Sequence, residues 1–331
     1  MKIVWINSDD IYMYENHLFS ERASVRLRCI EPAIYLKQKG YEVSLVNIFN
    51  WPEWINSPNI YNADIFVFGK TFLNPLPLIQ HLKKLGKKVV IDVCDNIFVP
   101  PEDGLKEIYE SMLPLANTVT AASQELAKVL NSRIRKKVFT IPDCVEGSKL
   151  SPLFNPNIHT LKLLWFGYPN NLFTLEEFLP KLSILRTEKT IHLSIVTKWI
   201  KYYSEIFKDK CNGIHIRQVE WSPKKMAQEL FNCDLVIIPS DNEPANLTKT
   251  ANRVITSLYA GRYVVAFPLP AYLEFQSFVS LGEDLIENIQ FCLENPDIIK
   301  KRIAMGQEYI EKHYSPTIIC RLWESVFTRA D

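Results

Sequence analysis

The sequence predicts an α/β protein made of two doubly wound parallel sheets, and three observations carry that expectation. Short apolar runs alternate with amphipathic segments along nearly the whole chain, which is the pattern of repeated βαβ units. The length, 331 residues, is enough to bury two sizeable cores. The alternation breaks once, over residues 146–160 (EGSKLSPLFNPNIHT), where two prolines, a glycine and small polar residues mark a linker.

Ahead of the linker, strands are expected at 3–7, 42–48, 64–69, 88–93, 118–122 and 137–141. Helices fall at 25–39, closed by Gly40, and at 75–85, 105–115 and 124–131. After it the pattern restarts, with strands at 161–167, 191–197, 214–219, 235–238 and 263–267. Its helices are expected at 175–186, 223–232 and 249–260, and residues 282–313 read as helical throughout. Ser315-Pro316 is an N-cap followed by proline at the first helical position. The helix it opens puts Ile319, Leu322, Trp323, Val326 and Phe327 on one face, which must dock on something apolar. Residues 1–150 thus form one domain and 160–314 a second, with a cleft expected between facing carboxyl edges.

Composition narrows the class. A formal net charge of +1 leaves no global field to attract nucleic acid or an acidic membrane. The seven cysteines, at 29, 94, 144, 211, 233, 292 and 320, are dispersed and form no CxxC pair, which suits reduced thiols in cytoplasm. Lys2 is followed by a strand-like IVWIN rather than a signal-peptide core, and no apolar run approaches the roughly 18 residues of a membrane span. A soluble cytoplasmic protein is expected. The ten glycines form neither GxGxxG nor GxxxxGK[ST], so any phosphate must be held by helix ends and cationic side chains.

The most informative stretch is 234–275, a strand, a glycine-free polar loop, a helix closed by Gly261, and a second strand. In such a unit the helix N-terminus lies at the carboxyl edge of the sheet, where ligands of open α/β sheets bind and free N–H groups suit a phosphate. Ala251, Val254, Ile255 and Leu258 keep the spacing of a core-facing stripe, while Lys249, Arg253 and Thr256, with Asn252 beside them, form another. Two cations in the opening turns oppose the macrodipole by roughly 0.3–1 kcal/mol each, a sign that an anionic ligand would reverse. A solvated outer face is the alternative.

Several segments resemble the group 1 glycosyltransferases of GT-B fold, retaining enzymes that use nucleotide sugars. KTANRVITSLYAGRYVVAFPLPAY looks like their nucleotide-sugar segment, and IAMGQEYIEKHYSPTIICRLWESVF like their C-terminal helices. LLWFGYPNN is similar to the strand and loop opening the second domain, VFTIPDCVE to the strand and turn before the linker, and ASVRLRCIEPAIYLKQKGYEV to an S-x-R-x-R branch of the family. The resemblance implies two Rossmann-like domains facing across a cleft. It also implies a last helix, 315–331, crossing back onto the N-terminal domain, no cofactor, and no metal. The implied partners are a nucleotide sugar and a glycan or lipid-linked acceptor, with peripheral contact to a membrane-linked acceptor at the inner membrane face left open.

What the resemblance implies for the site is specific. Lys249, Arg253 and the backbone near Thr250 and Ala251 would hold the diphosphate, Asn252 would position it or bond the sugar, and Gly167 opens the donor domain. The family's two glutamates, eight positions apart, correspond to Thr248 and Thr256, and its arginine after the glycine is Tyr168. A threonine hydroxyl makes one hydrogen bond where a carboxylate accepts two strong ones. A catalytically silent nucleotide-sugar-binding subunit is therefore the competing expectation.

The remaining candidates each carry two readings. Trp221 would face the base or sit in the core. Asp95, at the end of a strand that also holds Asp92, would contact the acceptor hydroxyl or cap its loop. Arg26 and Arg28, opening the first helix, would bind a phosphate of acceptor or donor, with solvated helix residues as the default. Asp9-Asp10 and the DxxD of Asp92 and Asp95 do not match the DxD of metal-dependent transferases. His17 closes a tyrosine-rich stretch, IYMYENH, that would line the cleft or be structural. Trp51 and Trp54 suit packing or acceptor recognition, with membrane anchoring the weaker alternative because no basic cluster accompanies them.

Overall fold

A computed structural model describes residues 1–54, 57–71, 73–99, 104–157, 159–202, 207 and 213–328. The chain divides into two compact units, one of Met1–Cys144, Leu247–Thr250 and His313–Asp331, the other of Val145–Asn246 and Ala251–Lys312.

The first unit is built on β1 (Lys2–Asn7), which leads into a hairpin of β2 (Tyr12–Tyr14) and β3 (His17–Phe19), and on β4 (Glu42–Asn47), β5 (Ile65–Phe68), β6 (Lys88–Val93), β7 (Thr118–Ala121) and β8 (Val138–Thr140). Its sheet has the order β4-β1-β5-β6-β7-β8 with every pairing parallel, so the order reverses between β1 and β5. Residues 65–68 are wholly buried, as apolar runs covered on both faces must be. One face packs Val4, Ile6, Phe66, Phe68 and Ile91 against Leu78, Ile79, Leu126 and Leu130 of the covering helices. On β1 the alternate residue Trp5 meets Trp323 of the last helix (Pro316–Thr328), ring centroids 4.9 Å apart. That helix also packs on Glu31–Gln38 and buries Ile319, Cys320, Trp323, Val326 and Phe327. Leu322, expected on the same face, is instead 38% exposed.

The second unit holds β9 (Thr160–Phe166), β10 (Thr190–Thr197), β11 (Ile214–Glu220), β12 (Leu235–Ile238), β13 (Tyr263–Ala266) and β14 (Ser280–Leu281). All its strands are parallel in the order β11-β10-β9-β12-β13-β14, with the reversal between β9 and β12. This is the strand order of dinucleotide-binding sheets.

Two readings from the sequence need correction. The helix expected at 249–260 spans Asn252–Tyr259, so Lys249 and Thr250 precede it and Lys249 shares no helical stripe with Arg253. The helical run at 282–313 is two helices, Leu285–Glu294 and Pro296–Tyr314, parted by Asn295 where Pro296 prevents continuation. The linker is hydrogen-bonded into the second unit. Leu150 N–H donates to Tyr259 O (3.3 Å), Leu153 N–H to Gly261 O (3.0 Å), and Phe154 is fully buried. Gly261 permits this packing because its φ is +70°, and a Cβ there would stand 2.3 Å from Ser151 O.

Candidate functional site

In the second unit the strand order reverses beside Gly167, the residue that follows β9. Its N–H donates to Val196 O at 3.2 Å. A Cβ at this position would crowd the Trp165 ring at 3.2 Å and would stand in ordinary contact with Arg253 Nη1 at 3.6 Å, so the glycine brings the guanidinium close to the backbone at this edge. Arg253 Nη1 makes a long contact with Phe166 O at 3.5 Å, which places the cation at the carboxyl end of β9. It issues from the first turn of the helix Asn252–Tyr259, whose core side buries Val254, Ile255 and Leu258. Ala251, buried at the N-cap, offers no capping side chain, and no acid stands in the first turn. Helix-end N–H groups, a guanidinium and a glycine thus share the edge where α/β sheets bind ligands. Thr256 is turned inward along the helix and donates to Asn252 Oδ1 at 3.0 Å.

The neighbouring loop carries aromatic groups. Trp199 holds φ at +53°, a left-handed conformation rarely adopted by bulky residues, and is 49% exposed. Glu220 fixes it by accepting both Trp199 N–H (2.7 Å) and Ile200 N–H (2.9 Å). The Tyr168 ring meets Trp199 edge-on at 5.6 Å, and Lys198 Nζ stands 5.6 Å from the Trp221 ring. Trp221 is half-buried.

In the first unit the carboxyl edge gathers Asp95, Lys70 and Lys249. Asp95 follows β6, is half-exposed, and pairs with Lys70 Nζ at 2.7 Å. Burial pushes its carboxyl up, yet the Lys70 ion pair and hydrogen bond, the Cys94 thiol and the charge of Lys249 together hold it below the usual carboxylate value. Asp95 is thus an anion at neutral pH.

Arg28 and Asp92 lie beneath that edge, about 3% and 2% exposed. Arg28 Nε and Nη2 donate to the two Asp92 oxygens at 2.8 and 2.7 Å, and Nη1 donates to Ile141 O at 2.7 Å and Asp143 at 3.1 Å. Thr120 also donates to Asp92, at 2.6 Å. Thr250 Oγ1 donates to Asp143 Oδ2 at 2.9 Å, and Ser123 Oγ donates to Thr248 O at 2.6 Å. These last two bonds explain why the segment around Lys249 belongs to this unit and why the following helix starts late. The Asp143 carboxyl is raised by burial, against the pull of Arg28 and Thr250.

Arg26 is buried too. Its Nη1 donates to Ser20 O (2.8 Å) and Glu21 O (3.0 Å), and its guanidinium lies over the Phe19 ring. The solvated-helix reading of Arg26 and Arg28 therefore fails, because residues 26–30 form a π-turn whose five side chains are all buried. Trp51 is half-buried against the first core; the side chain of Trp54 lies outside the described residues, as does Cys211. Burial pushes the thiols of Cys233 and Cys292 up to about 12, which suits unreactive core groups. Among the described residues no three His, Cys, Asp or Glu gather as a metal site, and no helix is long and apolar enough to cross a membrane.

No protein-family model matches the chain, and no curated protein sequence does. Solved structures do. A glycosyltransferase of Rickettsia africae superposes with TM-score 0.69 at 14% identity, covering 99% of this chain and 98% of that one. HepE of Anabaena, solved with UDP and glucose, gives 0.66 at 12% identity over 99% of both chains. The UDP-forming α,α-trehalose-phosphate synthase of Burkholderia vietnamiensis gives 0.66 at 9% identity over 99% and 97%. The chain has the GT-B fold. At these identities the likeness fixes architecture, and chemistry rests on the chain's own residues.

Proposed function

We propose that the protein is a glycosyltransferase that moves a sugar from a nucleoside-diphosphate donor to a carbohydrate or lipid-linked glycan acceptor. The observation that carries this reading is Arg253 placed at Phe166 O beside Gly167, where the second sheet reverses its strand order. The leaving diphosphate gains negative charge as the bond from sugar to phosphate oxygen breaks. A guanidinium already at this edge and helix-end N–H groups stabilise that charge without reorganising. Retention of configuration, implied by the resemblance, has the acceptor oxygen form its bond on the face the diphosphate leaves. Asp95, ionised and partly exposed, accepts the hydrogen bond of the acceptor hydroxyl and takes its proton as the new bond forms. Lys249 adds positive charge near Asp95, and its assignment to donor phosphate is tested by its alanine variant.

UDP-bound relatives of this fold support the donor class. Thermal-shift titration with UDP-, GDP-, ADP- and CMP-sugars tests it: one nucleotide series should stabilise the protein and its sugar should hydrolyse slowly. EDTA should leave that binding within about twofold, because the Arg253 guanidinium and the helix-end N–H groups supply the charge a metal otherwise would.

One observation favours the silent nucleotide-sugar-binding subunit. At the positions of the family's glutamates, Thr248 is buried, its carbonyl held by Ser123, and the Thr256 hydroxyl is directed to Asn252. Donor binding without turnover would select that reading.

A further inference from the structure

Residues 12–19 form a hairpin whose side chains the donor chemistry does not use. Its register pairs Tyr12 with Phe19, Met13 with Leu18 and Tyr14 with His17, so Tyr12, Tyr14, His17 and Phe19 share one face. Glu15 and Asn16 turn the chain with φ of +46° and +67°, the two-residue primed turn that matches strand twist. Glutamate is poorly suited to that conformation, so the turn is kept at a cost in backbone strain. The Phe19 ring is wedged between Tyr12 (5.7 Å), Tyr14 (5.4 Å) and the Arg26 guanidinium (5.2 Å). Arg26, bound to Ser20 O and Glu21 O, is thus the anchor of the hairpin. Tyr12 stays 41% and Met13 63% exposed. The hairpin leaves β1, the strand at which the first sheet reverses order, so it stands at that sheet's ligand edge.

We infer that the tyrosine face of this hairpin is a glycan-binding subsite that grips a neutral sugar ring of the acceptor beyond the reacting one; the inference rests on the glycosyltransferase reading. The physical case is one of complementarity. Tyrosine gives a broad apolar ring for the C–H face of a pyranose together with a wet polar end, at little conformational cost. The exposed acids that flank it in the chain are acceptors for sugar hydroxyls: Asp10, beside Asn47 (3.2 Å), and Glu15 at the tip. A bilayer would want an apolar tip and an anionic headgroup a basic cluster. Here the tip is Glu15-Asn16, and the arginines of the hairpin's base, Arg22 and Arg26, are engaged with Asp9 and with backbone carbonyls.

Affinity electrophoresis of the full chain without nucleotide tests the inference in gels containing soluble neutral polysaccharides: an α-glucan, a β-glucan, a xylan and a galactomannan. Retardation in at least one gel is expected. Tyr12→Ala with Tyr14→Ala should weaken it about fivefold or more, and Tyr12→Phe with Tyr14→Phe should largely keep it. The alanine variant should retain the melting temperature and the affinity for UDP. Absence of retardation in every gel, or retardation the alanine variant leaves intact, overturns the subsite. So does co-sedimentation with phosphatidylethanolamine–phosphatidylglycerol vesicles that the same variant abolishes. Failure of the donor reading is seen separately, as no nucleotide binding by the wild type.

Discussion

Replacing Arg28 by methionine should destabilise the first unit more than any surface change, and its size follows from the geometry. The substitution keeps an apolar stem but strips Asp92 of two charge-assisted bonds at 2.7–2.8 Å, leaving it 2% exposed with Thr120 as its one remaining donor among the described residues. Removing one partner of a buried pair costs about 3–5 kcal/mol, because the other charge stays desolvated. At about 1.4 kcal/mol per decade, that is a rise of roughly a hundredfold to a few thousandfold in the opening equilibrium. Hydrogen exchange read on peptides covering β1, β6 and the last helix reports that opening for this unit alone. Arg28→Met combined with Asp92→Asn should cost less than the sum of the two single changes by about 1–3 kcal/mol. A single variant that accelerates exchange less than about tenfold, or a double variant that is additive, would refute the pairing as the unit's keystone.

Other outcomes follow from the same coordinates. Arg253→Ala should weaken UDP binding by calorimetry about tenfold to a hundredfold, the worth of a charge-assisted bond, with little change in melting temperature. Gly261→Ala should destabilise the second unit by about 2 kcal/mol or more in urea, since the new Cβ meets Ser151 O at 2.3 Å and φ is +70°. Asp95→Asn should lower turnover about a hundredfold while leaving UDP affinity within about twofold. Because the Asp95 carboxyl lies below its usual value, its ionised form is favoured by folding. That contribution is present above the unfolded value near 4 and is lost as pH falls through the lower folded value. The acidic limb of the pH–rate profile due to Asp95 should accordingly lie below about pH 4, and a limb near neutrality that Asp95→Asn removes would contradict the assignment.

What the sequence reveals is local. Apolar runs such as 65–68 and 235–238 are read at once as buried strands, because both faces are covered and no alternation is needed. Arg253 and Gly167 stand out because a cation in a helix's opening turn and a glycine following a strand are visible in short windows. The start of that helix is misread because KTANRVI contains no breaker. The bonds that hold Thr248 and Thr250 outside it come from Ser123 and Asp143, 125 and 107 residues away. Arg28 is misplaced for the same reason, its partners lying 64 to 115 residues distant. The hairpin escapes notice because Glu15-Asn16 is not a usual turn pair, although the flanking YMY and HLF have strand character. Lys70, the partner of Asp95, could have been found as a cation directly after the glycine that closes a buried strand.

The central claim is that the guanidinium of Arg253 meets a donor phosphate at the carboxyl end of β9. A crystal structure of the protein with the nucleoside diphosphate that stabilises it most tests this directly. Phosphate oxygens within about 3.2 Å of the Arg253 nitrogens, beside Gly167, are the expected result. A nucleotide bound elsewhere on the chain, with Arg253 still turned only to Phe166 O, would contradict it.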